Sequence, residues 1–250
     1  MTKVLDKIRK QSKKSLAILI DPDKVDEATL DEIILLSIEA KVSFFFVGGS
    51  LISSDQLDFC IQRLKEVKDI PTVLFPGNGQ HVHAKADAIL LLSLISGRNA
   101  DFLIGQHVIA APALKRSGLE ILPTGYMLVD GGKQTTASYI SNTTPLPNDK
   151  PDIAAATALA GEMLGLKILY LDAGSGAKNT VSSELISAVK NSCEIPLIVG
   201  GGIDSLAKAE KAFKAGADII VVGNATEKDP QFISDLGQMM DLLEIRGMEL

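Results

Sequence analysis

Three stretches of this chain bring small residues to the point where an apolar run stops. In Tyr170-Leu171-Asp172-Ala173-Gly174-Ser175-Gly176-Ala177 the run ends on a carboxylate and then opens into residues whose backbone amides can meet an anion. Leu197-Ile198-Val199-Gly200-Gly201-Gly202 and Ile219-Ile220-Val221-Val222-Gly223-Asn224 repeat the pattern. Glycine lets the backbone approach a ligand closely and adopt positive φ, and the N–H groups of a turn or helix start donate without a basic side chain. For any one of these glycines alone, a tight turn is the better reading. Three consecutive strand ends of this kind point to a bound phosphate.

A further strand end, Ile20-Asp21-Pro22-Asp23-Lys24, would bring an acid to the same rim. A carboxylate beside a phosphate is unfavourable unless a cation separates them, so Asp21 points to a divalent metal. Magnesium fits best, because it prefers oxygen ligands and commonly combines one or two carboxylates with substrate phosphates. Val47-Gly48-Gly49-Ser50 ends the second strand, and Ser50 offers a hydroxyl or carbonyl to that centre. The competing role for Asp21, and the preferred one for Asp23, is a helix cap or turn around Pro22. Tyr170 and Asp172 stand two apart on a strand and so share a direction. Together they could accept hydrogen bonds from a polyol and take its proton, or they could orient the loop by holding its amides.

Several lookalikes fail on spacing. Gly131-Gly132-Lys133-Gln134 is no P-loop, because Gln follows the lysine and Met127 stands where the first glycine belongs. Gly174-Ser175-Gly176 runs into Ala177, Lys178 and Asn179, leaving the dinucleotide pattern incomplete. His81 and His83 have a spacing that can bind zinc but no matching third ligand, and they read as loop packing, as does His107. Cys60 and Cys193, the two cysteines, read as buried reduced thiols.

The elements that must position these residues alternate along the whole chain. Strands are expected at 16–20, 42–47, 72–75, 88–92, 120–129, 167–171, 196–199 and 218–222, with amphipathic stretches between them such as Ala28 to Ala40 and Leu57 to Val67. Near-continuous apolar strands imply burial on both faces, as in a parallel sheet covered by helices. Eight β-then-α units without a composition break predict one domain over 1–250, a modified (β/α)₈ TIM barrel. Only about a dozen residues, Pro76 to Asp87, separate strands three and four. The third helix should therefore be missing or replaced by an extended segment. The Gly-, Thr-, Ser-, Asn- and Pro-rich stretch Asp130 to Lys150 reads as a mobile, functional loop, and the stretch holding Phe232, Leu236, Met239, Met240 and Leu243 as a helix that closes the barrel.

Composition narrows the partners. With 46% hydrophobic and 22% charged residues the chain reads as globular, and its net charge of −6 argues against a nucleic-acid binder. No apolar run would span a bilayer, and Leu16 to Ile20, stopped by Asp21, is too short for a signal peptide, so a cytoplasmic location is expected. Lys7, Arg9, Lys10, Lys13 and Lys14 form either a solvated helix face or, at most, a peripheral contact with an anionic membrane.

The pieces also stand in a recognisable order. Leu19-Ile20-Asp21-Pro22-Asp23-Lys24, Val47-Gly48-Gly49-Ser50, Phe75-Pro76-Gly77-Asn78, Lys85-Ala86-Asp87-Ala88-Ile89-Leu90, Pro123-Thr124-Gly125-Tyr126, Tyr139-Ile140-Ser141-Asn142-Thr143, Tyr170 to Ala177, Val199-Gly200-Gly201-Gly202-Ile203 and Val222-Gly223-Asn224 follow one another between about residues 14 and 230. In this the chain resembles the geranylgeranylglyceryl phosphate synthase family, also called the prenyl-glyceryl-phosphate synthase family, and its group II branch.

The resemblance implies a Mg²⁺-dependent prenyltransferase that joins sn-glycerol 1-phosphate to geranylgeranyl diphosphate and releases diphosphate, forming the first ether bond of a lipid. It implies a modified barrel without the regular third helix, and a homo-oligomer, dimer or hexamer. By matching position, Asp21 and Ser50 would bind magnesium. Tyr170, Leu171, Asp172, Ala173, Gly174, Ser175, Gly176, Gly201, Gly202, Gly223 and Asn224 would hold glycerol phosphate, with Asp172 and Tyr170 at the reacting hydroxyl. Family members usually carry Glu where this chain has Asp172, so the carboxylate is kept with one methylene less reach. Leu19 replaces the lysine of group I enzymes.

The prenyl chain would need an apolar trough, expected near the missing helix and lined from strands three and four and the Ala86 to Ile104 region. Rival readings are the same reaction with a longer donor such as heptaprenyl diphosphate, a phosphate-sugar isomerase or lyase on the same barrel, or a non-catalytic phosphate-binding scaffold.

Overall fold

The computed structural model describes residues 3–10, 13–49, 56–79 and 81–245. In chain order the elements are α1 (Val4–Lys10), β1 (Ser15–Ile20), α2 (Glu27–Glu39), β2 (Phe44–Gly48), α3 (Gln56–Leu64), β3 (Thr72–Phe75) and β4 (Ala88–Leu94). A π-helical turn (Asp101–Gly105) then leads into α4 (Gln106–Ser117), β5 (Glu120–Leu128), α5 (Thr136–Ser141), α6 (Pro151–Met163) and β6 (Ile168–Asp172). The last are α7 (Ser183–Ser192), β7 (Leu197–Gly200), α8 (Leu206–Lys214), β8 (Ile219–Val222), α9 (Asn224–Lys228) and α10 (Phe232–Ile245).

The strands pair in parallel in sequence order, and β1 pairs with β8 to close the barrel. Because side chains alternate along a strand, the core divides into two layers. Ala17, Phe44, Phe46, Val73, Leu90, Tyr170, Ile198 and Val221 fill the inside, while Ile18, Ile20, Phe45, Val47, Leu74, Leu171, Val199 and Ile220 face the helices. This double burial is why every strand was readable from its apolar run.

The strand-three connection departs from the regular fold as the sequence predicts. Among the described residues between Phe75 and Ala88 there is no helix, and an irregular segment crosses instead. Its His81 Nδ1 accepts from the Gly77 N–H at 3.2 Å, and Gln106 Oε1 of α4 accepts from the Gly79 N–H at 3.1 Å. The consequence is visible on β4. Strands β2, β3, β6, β7 and β8 are buried throughout, whereas Leu91 and Ser93 on the outward face of β4 are only partly covered.

The stretch 130–150 is more ordered than its composition suggests. Thr135 caps α5 in a reciprocal capping box with Ser138, a bridge joins Val129 to Leu146, and Asn148 is tied to Thr180 and Ser182. Beneath the barrel the Val4 and Leu5 amides donate to the Glu120 carboxylate, so α1 closes the bottom with Val4 and Ile8 in the inner core. Lys7 of this helix and the nearby Lys14 turn inward. The Lys7 ammonium lies 5.2 Å from the Phe44 ring centre, and Lys14 lies 4.0 Å from Asp218.

Candidate active site

The C-terminal ends of the strands surround a polar cleft, the place where chemistry sits in this fold. It is lined by Asp21 from the end of β1, Gly49 after β2, Tyr170 and Asp172 of β6, Ser175 and Gly176 after it, Gly201 and Gly202 after β7, and Gly223 and Asn224 after β8. The acid of the opening strand and the glycine loops of the closing three thus share one cavity. Ser50 lies outside the described residues. The Leu171 and Ala173 side chains join the outer core, and the Gly174 N–H donates to Asp172 Oδ1 at 2.7 Å, so these three offer the cleft no free side chain or amide.

The loop amides are what an anion would meet. Among the described residues, the N–H groups of Ser175, Gly176, Gly201, Gly202 and Gly223 donate to no protein acceptor. Gly201 has φ +85°, and a Cβ there would lie 2.6–2.7 Å from the Gly174 and Ala173 nitrogens and Asp172 Oδ1. Only glycine fits. A Cβ on Gly200 would come within 2.7 Å of the Tyr170 hydroxyl, which places that hydroxyl directly over the end of β7. Asn224 Oδ1 accepts from Ser175 Oγ at 2.9 Å and ties the last loop to the one after β6.

Asp172 is 7% exposed and sits under a second acceptor bond: the Tyr126 hydroxyl donates to its Oδ2 at 2.6 Å. Burial pushes this carboxyl above the usual aspartate range, and the bonds from Tyr126 and Gly174 pull it only partly back. Burial and the nearby Asp172 charge drive the Tyr126 and Tyr170 phenols well above 10, so both are neutral. Tyr170 is flanked by Phe75, stacked at 5.4 Å between ring centres, and by Tyr126, edge-on at 5.5 Å. Sequence reasoning missed Tyr126 as the partner of Asp172. No sequence signal gave it, since the contact depends on the register that pairs Tyr126 with Tyr170 across β5 and β6.

Asp21 takes the turn role with one oxygen and an ion pair with the other. Its Oδ1 accepts from the Asp23 N–H at 3.2 Å in a turn, while its Oδ2 holds Lys24 Nζ at 2.8 Å. Burial alone would lower the Lys24 ammonium, but the bond to Asp21 and the charge of Glu227 outweigh it and raise its pKa. Asp26, not Asp21 or Asp23, caps α2. A hard carboxylate oxygen at the rim of a polar cleft with unpaired loop amides suits magnesium, which needs few protein ligands when substrate phosphates complete its shell.

Behind the aromatic rings lies a second, apolar cavity. Ile89, Leu91, Leu92 and Leu94 of β4, Phe102 of the π turn, Ala110 and Leu114 of α4 and Val82 of the irregular segment line it. The trough expected beside the missing helix is there, and α4 and α5 supply walls that the sequence reading did not assign. The cavity meets the polar cleft at Gly49, Phe75 and Ala137, which line both. The histidines stay apart from a metal centre: His83 pairs with Asp58 and His107 with Ser93. Among the described residues no group of three His, Cys, Asp or Glu could hold an ion.

The sequence pattern of the PcrB family matches residues 7–240. The chain belongs to the PcrB family. Within it, geranylgeranylglyceryl phosphate synthase of Spirosoma linguale is 56% identical over 237 residues, 95% of each chain. That of Chitinophaga pinensis is 55% identical over 223 residues, 89% of this chain and 88% of the relative. Among solved structures, (S)-3-O-geranylgeranylglyceryl phosphate synthase from Thermoplasma acidophilum, in complex with its substrate sn-glycerol-1-phosphate, superposes with a TM-score of 0.90 at 30% identity, covering 96% of this chain and 99% of that one. The PcrB-family membership and the barrel agree with the resemblance drawn from the motifs.

Proposed function

We propose that this PcrB-family chain is a magnesium-dependent prenyltransferase that joins sn-glycerol 1-phosphate to geranylgeranyl diphosphate, giving geranylgeranylglyceryl phosphate and diphosphate. The observation that carries this reading is the boundary at Gly49, Phe75 and Ala137, residues that line both a polar cleft with free amides and an apolar groove. A reaction between a phosphorylated polyol and a hydrocarbon chain needs those two environments in contact.

The amides of Ser175, Gly176, Gly201, Gly202 and Gly223, with Asn224, receive the phosphate of the acceptor. Its polyol end then reaches Tyr170 and Asp172. As a hydroxyl oxygen forms its bond to the prenyl C1, its proton passes to the Asp172 carboxylate, and the bond between C1 and the diphosphate oxygen breaks with its electron pair leaving on diphosphate. Tyr126 holds Asp172 in place for this step. The Phe75 ring at the junction can face the positive charge that builds on C1. Asp21, with Ser50, would hold magnesium, which when bound neutralises charge collecting on the departing diphosphate.

A homo-oligomer, dimer or hexamer, belongs to the same reading. Ile104, Val108 and Ile109 are exposed apolar residues on one outer face that support it. Among the described residues no helix is long and apolar enough to cross a membrane, and any membrane contact in this reading is peripheral. The deciding experiment incubates the protein with each glycerol phosphate enantiomer and a series of prenyl diphosphates, with and without Mg²⁺, and analyses lipid products by mass. A geranylgeranyl ether formed only with sn-glycerol 1-phosphate and Mg²⁺ is the expected result. A heptaprenyl product would replace the donor, and turnover of a sugar phosphate without metal would replace the reading.

A further inference from the structure

An anion-binding cleft should not carry more acid than base, yet this one does. Asp21, Asp23, Asp172, Asp204 and Glu227 line it against Lys24 and Lys228. Glu227, on α9, has a side chain only 7% exposed, and the mechanism above gives it no task. Its neighbour accounts for it. Lys24 Nζ stands 2.8 Å from Asp21 Oδ2, 3.7 Å from Glu227 Oε2 and 3.5 Å from Asn224 Oδ1. The ammonium therefore occupies one oxygen of Asp21, with a second carboxylate, Glu227, also within ion-pair distance of it.

We propose that Lys24 is the resident counter-cation of Asp21 and must give way to the metal, passing to Glu227 as the metal arrives. The proposal rests on Asp21 as a magnesium ligand. With the Asp23 N–H on Oδ1 and the Lys24 ammonium on Oδ2, a metal at Asp21 would sit a few ångströms from that ammonium, where like charges repel steeply. The four-carbon stem of Lys24 lets its head group move without the backbone. Glu227 keeps the displaced ammonium paired instead of stranded in a partly buried cleft. Lys24 and Glu227 are thus positioning residues that set how readily the site loads.

Titration of the full-length protein with Mn²⁺, followed by electron spin resonance of the free ion, reads loading without turnover. Lys24→Met removes the competitor, so its dissociation constant should fall about threefold or more, the scale of losing one exposed ion pair. Lys24→Arg keeps a cation there and should bind no more tightly than wild type. Glu227→Gln should weaken Mn²⁺ binding in the wild-type background and change it far less alongside Lys24→Met, because its effect runs through the lysine. Unchanged or weaker binding in Lys24→Met, with binding still lost in Asp21→Asn, overturns this proposal alone. Equal weakening by Glu227→Gln in both backgrounds overturns the part given to Glu227. Unchanged binding in Asp21→Asn overturns the metal reading and this proposal with it.

Discussion

The Tyr126 hydroxyl and the Asp172 carboxylate, 46 residues apart in the chain, meet at 2.6 Å between neighbouring strands. The bond favours the charged form of a carboxyl that burial otherwise keeps protonated to higher pH. If Asp172 accepts the proton, the acid limb of kcat/KM lies above the ordinary aspartate range, and Tyr126→Phe moves it higher still. Asp172→Asn should cost about 10²–10⁴-fold in kcat. A limb that stays put in Tyr126→Phe would detach the tyrosine from the chemistry.

The same shift fixes a sign for stability. The folded carboxyl holds its proton more tightly than the unfolded one, so ionising it opposes folding, and stability declines as pH rises through the folded value. Asp172→Asn should therefore have a urea midpoint at pH 7 no lower than wild type, and that advantage should shrink as pH falls through the raised folded value and be gone below the ordinary aspartate value. A variant much weaker at pH 7 would mean that the carboxylate charge is itself structural.

Gly201→Ala would force a side chain into φ +85° with Asp172 Oδ1 and two backbone nitrogens 2.6–2.7 Å from its Cβ. The fold should lose about 1–3 kcal/mol by thermal or urea melting. KM for sn-glycerol 1-phosphate should rise while KM for the prenyl donor holds. Equal changes in both would place the phosphate elsewhere.

Leu91 and Leu92 are half-covered and line the apolar groove. Truncating both to Ala removes tail contact at about 0.8 kcal/mol per CH₂, so KM for the prenyl donor should rise roughly tenfold. Binding of the glycerol phosphate, measured alone, should not move.

The two thiols should be inert in the native protein. Burial, then the charge of Asp21, pushes Cys60 up to about 11, and burial with the charge of Glu162 does the same for Cys193. Ellman's reagent at pH 7.5 should find neither thiol quickly in the native state and both in denaturant. Rapid native labelling would contradict their burial.

The barrel was legible because each strand carries apolar side chains to both faces, and that signal is local. Phe44, Phe45 and Phe46 announce a strand without help from any neighbour. The missing helix was legible by arithmetic, since Pro76 to Asp87 is too short to hold a crossover helix. The Tyr126–Asp172 bond was not, because it depends on the register between β5 and β6, which no local pattern encodes. Nor was the lysine between Asp21 and Glu227, for Lys24 and Glu227 meet only when β1 closes on β8. Helix α5 was missed for a different reason: turn-forming residues dominate 130–150, and Thr135 and Ser138, which cap it, count toward that same composition.

Leaving out one helix gives the protein an unfinished coat. In a regular barrel a protein segment would lie over the outward-facing Leu91 permanently; in the proposed reaction a guest hydrocarbon would take that berth and become, for the length of a turnover, part of the molecule's own interior. Substrate and scaffold are then joined in one thermodynamic account, so an enzyme charged with its donor should melt at a higher temperature than an empty one.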